Sequence, residues 1–336
     1  MDKIVRSICY FTKEPGEDTL RKLEEIEDVL SSNGFEVQTK RICSPNKGFT
    51  DLKESIDDES IFLSVGKIDE LTEDVKSDFF SAGDVAFNLD LTSTEIEGRH
   101  VDFLFDMMQE SPESTFSFCY AFNNPSSSPY HPPAQFEREG FSIGLQPTNL
   151  AKDCDSLEEW LQNMKTVWNE IDELFEGRED YIGIDSSVAP FSDEEGSLVN
   201  FINSLGTSFD QSSLTDTYLR ITDFIEDQNP NPTGLCGLML PCLEDFELAE
   251  EYEKGNFSIE RNTFLSLHSG LGIDTYPIGI DEDKDKVKKI LKTVKKLSNK
   301  HDKPLSIRFV SDGESKIGEK TNLDSQYLKD VKIREL

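Results

Sequence analysis

Ile4-Val-Arg-Ser-Ile-Cys-Tyr-Phe11 alternates as a strand, Asp18 to Leu30 carries Leu20, Leu23, Ile26, Val29 and Leu30 on one helical stripe, and Gly34 to Arg41 returns to strand. This β-α-β opening decides the fold class, because the same unit then recurs. Ser60 to Val65 reads as strand and Ile68 to Phe80 as helix. Asp84 to Asp90 is again strand, Ile96 to Met108 an amphipathic helix, and Ser114 to Ala121 a further strand. Such alternation predicts an α/β fold, a parallel or mixed sheet covered by helices.

Beyond this point the pattern changes. Phe122 to Ala134 holds four prolines and two asparagines, which forbid regular structure. Pinned between two expected strands, 114–121 and 140–146, so long a loop points to function. Asp155 to Phe175 is the longest expected helix and holds both tryptophans. A strand at Tyr181, helices at 194–205 and 214–228, and a strand over Leu235 to Leu240 follow. The last third predicts helices at 244–254, 259–267 and 284–300, with strands at 273–278, 305–310 and 330–334. About ten strands with intervening helices and no dividing linker predict a single domain over 1–336, a closed or nearly closed barrel.

Composition limits the partners. With 67 acidic against 34 basic residues the formal charge is −33, so nucleic acid and anionic membrane surfaces are repelled. The acids are dispersed and 36% of residues are hydrophobic, 23 of them Phe, so a packed core is expected. Dispersed acid excess has two readings, the solvated surface of a salt-rich cytoplasm or an acidic protein with cationic partners. Cys9, Cys43, Cys119, Cys154, Cys236 and Cys242 show no CxxC or zinc-type spacing and read as reduced thiols. Without a charged leader or an apolar run of membrane length, a cytoplasmic location is expected. A homo-oligomer is left open.

Tyr181-Ile-Gly-Ile-Asp-Ser-Ser-Val-Ala-Pro190 runs from a buried strand into a small-residue loop with one acid and two hydroxyls. A carboxylate where a barrel strand ends is expected to point into a pocket. This stretch, Thr233-Gly-Leu-Cys-Gly-Leu-Met-Leu-Pro-Cys-Leu-Glu-Asp245, Gly270-Leu-Gly-Ile-Asp-Thr275, and Asn124-Pro125 followed by His131 resemble, in order and spacing, the family called domain of unknown function 711. That resemblance spans nearly the whole chain and implies a pyruvate formate-lyase-like barrel of about ten strands surrounded by helices, with a pocket but no assigned reaction. The chain is shorter than the longer bacterial members and lacks their His-Gly-containing turn after the helix near Leu205, so no bacterial-type site is carried over.

The fold resemblance raises glycyl-radical chemistry, with Gly313 as the glycine and Cys236 or Cys242 as the thiol. Gly313 is followed by Glu314, outside the usual Arg-Val-x-Gly-aromatic context, and Asp-Gly after a strand is the ordinary composition of a turn. His131, Asp185 and Asp274 are the catalytic candidates, His131 as acid or base and the two acids as orienting or cation-binding groups. The alternative for both acids is to cap a turn through backbone N–H groups. Asn88, Asn124, Ser186, Ser187, Cys236 and His268 are candidate ligand-binding residues. Asn88 reads equally as a strand-end hydrogen-bonding residue and His268 as a helix-end histidine. Asp281 to Asp285 starts like a calcium loop but has Lys286 and Lys292 where glycine and the terminal acid belong. No phosphate loop, HExxH or GxSxG occurs, so cofactor-dependent redox and serine hydrolase readings lose their usual support and the cofactor is left open. Two functions fit: a non-radical enzyme acting on a small polar metabolite, and a sensing or assembly protein that binds a small-molecule ligand without turnover.

Overall fold

The alternation of the first 120 residues becomes half of a barrel wall. In the computed structural model, which describes residues 2–192 and 194–336, the elements are β1 (Lys3–Phe11), α1 (Glu17–Ser32), β2 (Phe35–Val37), β3 (Lys40–Cys43), α2 (Phe49–Ser55), β4 (Ile61–Ile68), α3 (Glu73–Ala82), β5 (Ala86–Asp90), α4 (Gly98–Glu110) and β6 (Phe118–Phe122). Strands β1, β3, β4, β5 and β6 pair in parallel in that order, while short β2 adds to β1. The single strand expected over 34–41 is therefore two. Val37 pairs with Val5, and pairing resumes only at Lys40 with Ile8.

The second half contains β7 (Gly140–Leu145), α5 (Leu157–Phe175), β8 (Tyr181–Asp185), α6 (Leu198–Ser204), α7 (Phe209–Ser212), α8 (Thr217–Gln228), α9 (Phe246–Lys254), α10 (Ile259–Ser266), β9 (Gly272–Pro277), α11 (Lys284–His301) and β10 (Leu305–Val310). β7 runs antiparallel to β1 and β10 antiparallel to β6, whereas β7 with β8 and β9 with β10 are parallel. Two parallel half-walls thus face in opposite directions. The regular ladder ends at β8 on one side and β9 on the other.

The stretch expected as a strand over Leu235 to Leu240 lies in this gap but forms no ladder. It makes single parallel bridges, Ile184 with Pro232 and Val188 with Leu238 on one flank, Leu238 with Gly270 and Pro241 with Asp274 on the other. The physical reason is local. Pro232 and Pro241 lack the N–H a ladder needs, and Gly234 and Cys236 take left-handed φ of 71° and 44°. The expected strand at 330–334 is likewise outside the barrel, making one antiparallel bridge between Lys320 and Lys332. The expected strand 114–121 begins at Phe118, after a 3-10 turn over Pro112–Ser117.

Helices cover the wall through apolar stripes that start at side-chain caps. Thr72, Ser156, Asp245 and Ser258 each accept a backbone N–H at the start of α3, α5, α9 and α10. Outward residues of the wall meet them. Phe87 and Phe118 pack with Phe49, Phe79 and Phe103, and the Tyr120 hydroxyl donates to the His100 carbonyl of α4. Buried apolar residues from Val5 to Leu336 join one contiguous core. No helix among the described residues is long and apolar enough to cross a membrane.

Candidate binding site in the barrel lumen

The residues that alternate with the outward apolar set are small or polar, and the proline-rich loop after β6 fills the space they leave. Ser7 Oγ donates to Pro129 O (2.7 Å), Asn88 Nδ2 to Pro132 O and Ala134 O (3.3 and 3.0 Å), and the Tyr130 hydroxyl to Leu145 O (2.9 Å). Ala134 packs among Cys9, Phe11 and Cys43. A loop bonded to β1, β5 and β7 at once lies inside the wall, as a plug. Gly144 has to be glycine, since a Cβ there would stand 2.5 Å from the Tyr130 hydroxyl.

Asp185, at the end of β8, gathers five donors: the Ser128 hydroxyl (2.7 Å), the Ser187 N–H and hydroxyl (3.1 and 2.5 Å), and the N–H groups of Leu235 and Cys236 (2.8 and 3.0 Å). It ties the plug, its own loop and the irregular stave together. Gly234 gives it room, a Cβ there coming within 2.3 Å of its oxygen. Ser187 Oγ also accepts from Gly237 N, and Asn229 bonds Ser186 Oγ. Asn124 likewise serves the plug, donating to Pro133 O at 2.7 Å. The structure therefore brings Asp185, Ser186, Ser187 and Cys236 together as a loop-fixing group. Burial pushes the Cys236 thiol up to about 11.

Above the plug remains a cavity of about 780 Å³, lined by Tyr130, His131, Cys119, Asp274, Glu244 from the turn before α9, and three charged strand residues that alternation alone would place on a solvent face: Arg6, Arg41 and Arg308. Glu244 sits between two arginines, accepting from Arg308 Nη2 at 2.6 Å and from Arg6 Nη2 at 3.4 Å. Asp274 Oδ1 accepts from Arg308 Nε at 2.7 Å and Thr275 N at 3.0 Å. Burial opposes the Arg308 charge, but Asp274 and Glu244 more than offset it and hold the guanidinium above its ordinary value. Arg6 is lowered by burial against the pull of Glu244, and its guanidinium lies 3.8 Å from the Phe191 ring centroid.

Arg41 differs from both. Among the described residues its guanidinium makes one hydrogen bond, from Nε to Thr39 Oγ1 at 3.2 Å, and has no carboxylate within 4 Å. Burial, with Arg6 nearby, lowers it to about 10. Deep in the cavity Arg6, Arg41 and Arg308 meet Glu244 and Asp274. Its outer part is acidic, with exposed Lys53 among exposed Asp57, Asp58, Glu59, Asp84, Glu113 and Asp324 and half-buried Asp312. Sequence reasoning missed Arg6, Arg41 and Arg308 because a charged residue at an alternate strand position ordinarily faces water.

His131 Nε2 stands 3.9 Å from Cys9 Sγ, and its buried Nδ1 has no hydrogen-bond partner among the described residues. Burial first, then Arg41, holds this imidazole well below its usual value, and burial raises the Cys9 thiol. The pair is therefore a neutral ring beside a neutral thiol. His131 and Asp274 share the cavity, whereas Asp185 is consumed by the loop and His268 lines a separate cavity. No group of three or more His, Cys, Asp or Glu among the described residues is arranged to hold a metal ion. Gly313 occupies a left-handed turn, φ 74°, held by Asp312, with Met108 O 2.6 Å from where a Cβ would be.

Fold and lumen define a plugged α/β barrel with a charged central pocket. The family described as Uncharacterised ACR (DUF711) matches residues 101–324, and the chain belongs to it. No match is found among curated proteins. Among solved structures, the anaerobic ribonucleotide reductase from Thermotoga maritima, with MES in its active site, is similar at 10% identity and a TM-score of 0.32, over 97% of this chain and 79% of that one. A likeness of that size carries no argument about fold or activity.

Proposed function

We propose that the lumen binds a small anionic metabolite, its carboxylate or phosphate held by Arg41 with Arg6 beside it. One observation carries this reading: a cavity-facing guanidinium without a carboxylate partner among the described residues, in a protein with twice as many acids as bases. A charge held in a partly dry site lacks its hydration, and an anion restores the missing interaction through a bidentate pair. The apolar walls, among them Leu240, Leu271 and Phe116, suit the carbon body of such a ligand. Thermal-shift screening with carboxylates and phosphorylated metabolites, followed by calorimetry, tests it. The expected result is saturable binding that Arg41→Met weakens at least about tenfold, the scale of one lost charge-assisted pair. Equal affinity in Arg41→Met, or stabilisation only by uncharged compounds, overturns it.

Turnover is a second reading, supported by His131. A neutral imidazole on the cavity wall beside the arginines is in the protonation state a general base requires. Mass spectrometry of a bound hit after incubation separates the two: an altered mass abolished by His131→Gln supports an enzyme, and an unchanged ligand supports a binding or sensing protein.

A further inference from the structure

A second cavity, about 380 Å³, lies across the irregular stave from the lumen and shares Leu235 and Leu271 with it. It is built where the turn after α10, at His268 and Ser269, meets the turn from α11 to β10, at His301, Asp302 and Lys303, with Glu226 of α8 alongside. Lys303 enters it from a pinned backbone. Its N–H donates to Ser298 O at 3.1 Å and its carbonyl accepts from Ser298 Oγ at 2.5 Å. The ammonium donates to the His268 carbonyl at 2.8 Å, and no carboxylate lies within 4 Å of it among the described residues. Lys40, Lys53, Lys284 and Lys329, by contrast, each hold a carboxylate at 2.6 to 2.7 Å, whereas Lys303 reaches into a cavity with only a backbone carbonyl for its ammonium among the described residues.

We propose that this side cavity is a covalent capture site for small aldehydes, with the Lys303 amine as nucleophile, His268 as proton carrier and Glu226 as the charge facing the cationic intermediate. The nitrogen lone pair attacks the aldehyde carbon, forming a C–N bond as the carbonyl π pair moves to oxygen. A proton passes from nitrogen to that oxygen to give a carbinolamine. The hydroxyl then takes a second proton, relayed from solvent through the His268 ring, and leaves as water while the nitrogen lone pair forms C=N; the protonated imine returns that proton to solvent by the same route. One aldehyde and one amine become one imine and one water, with no change of oxidation state.

The surroundings keep the amine in its reactive form. Burial lowers Lys303 to about 8, with Glu226 pulling the other way. Burial and Lys303 together lower His268, whose Nδ1 is engaged with Ser269 Oγ at 2.8 Å, so the ring stays neutral beside the amine. His301 and Asp302 are exposed at the mouth. At pH 7 roughly a tenth of such an amine is neutral, against about 0.04% of an ordinary lysine.

The test is reductive alkylation of the full chain at pH 7 with limiting propionaldehyde and cyanoborohydride, read by peptide mass spectrometry over time. Lys303 is expected to be alkylated at least about tenfold faster than exposed Lys289, Lys292 and Lys296 on α11, with a rate that levels off near pH 8 while theirs continues to climb. Lys303→Arg, which keeps charge and donor, should melt as the parent does and lose only that label. Labelling of Lys303 no faster than the α11 lysines at pH 7 overturns the proposal. Arg41→Met should leave the labelling unchanged, so this site and the lumen site stand or fall separately.

Discussion

Between Lys3 and Phe122 the barrel wall is a continuous parallel ladder backed by rings, with Phe87 4.9 to 5.2 Å from Phe49, Phe79 and Phe118. Between Tyr181 and Pro277 it is closed by an irregular stave whose neighbours touch it one residue at a time, and a single carboxylate, Asp185, collects the N–H groups that no ladder uses. The regular half positions side chains by alternation, which brings Arg41 to the lumen, while the irregularity in pairing between Val5 and Ser7 lets Arg6 reach it beside Ser7. The irregular half gives up backbone pairing and so needs a buried acceptor. Its gain is a polar wall with a cavity on each side.

Four substitutions or conditions can break or sharpen that contrast. Phe87→Ala should cost about 3–5 kcal/mol in a denaturant melt, the usual cost of emptying a ring's place in a core, with exchange protection falling throughout the first half. Asp185→Ala should cost about 3 kcal/mol because it strands several buried donors, and its increase in amide exchange should concentrate at 231–241. If the two variants loosen the same segments, the halves are not held by different forces.

His131 gives the next largest effect. Its folded value lies well below the ordinary 6.5 because burial and Arg41 disfavour the charged ring, so the unfolded chain takes up a proton first as pH falls. The associated stability is fully present above about pH 6.5 and declines below it by about 1.4 kcal/mol per pH unit. His131→Gln should remove this part of the slope below about pH 6.5. An identical pH profile in the variant would place the titration elsewhere.

Salt should produce the smallest and most uniform change. A net charge of −33 repels itself more in the folded than in the expanded chain, so the melting temperature at neutral pH should rise from about 0.05 M to about 2 M potassium chloride. Exposed ion pairs such as Arg21 with Asp18 and Arg99 with Glu97 weaken under the same screening, but each contributes little. A lower melting temperature at high salt would mean that cationic partners, not salt, account for the acids.

By itself the sequence determined the α/β class, the barrel of about ten staves, the helices α1, α3 to α6 and α8 to α11 in outline, and the irregular stretches at 122–134 and 185–190, whereas the short α2 and α7 were not expected. These follow from local periodicity and from proline and glycine, which act over a few residues. Two features depended on tertiary structure. One is the fate of the stave at 232–241, where its apolar run read as a strand but Pro232, Cys236 and Pro241 left it with isolated bridges. The other is the inside of the barrel. Ser7, Arg41, Asn88 and Arg308 occupy strand positions that in an open sheet meet water, and only closure of the wall turns them onto a plug and a pocket. Whether a polar residue faces solvent or lumen depends on curvature summed over many strands, which no single stretch of sequence carries.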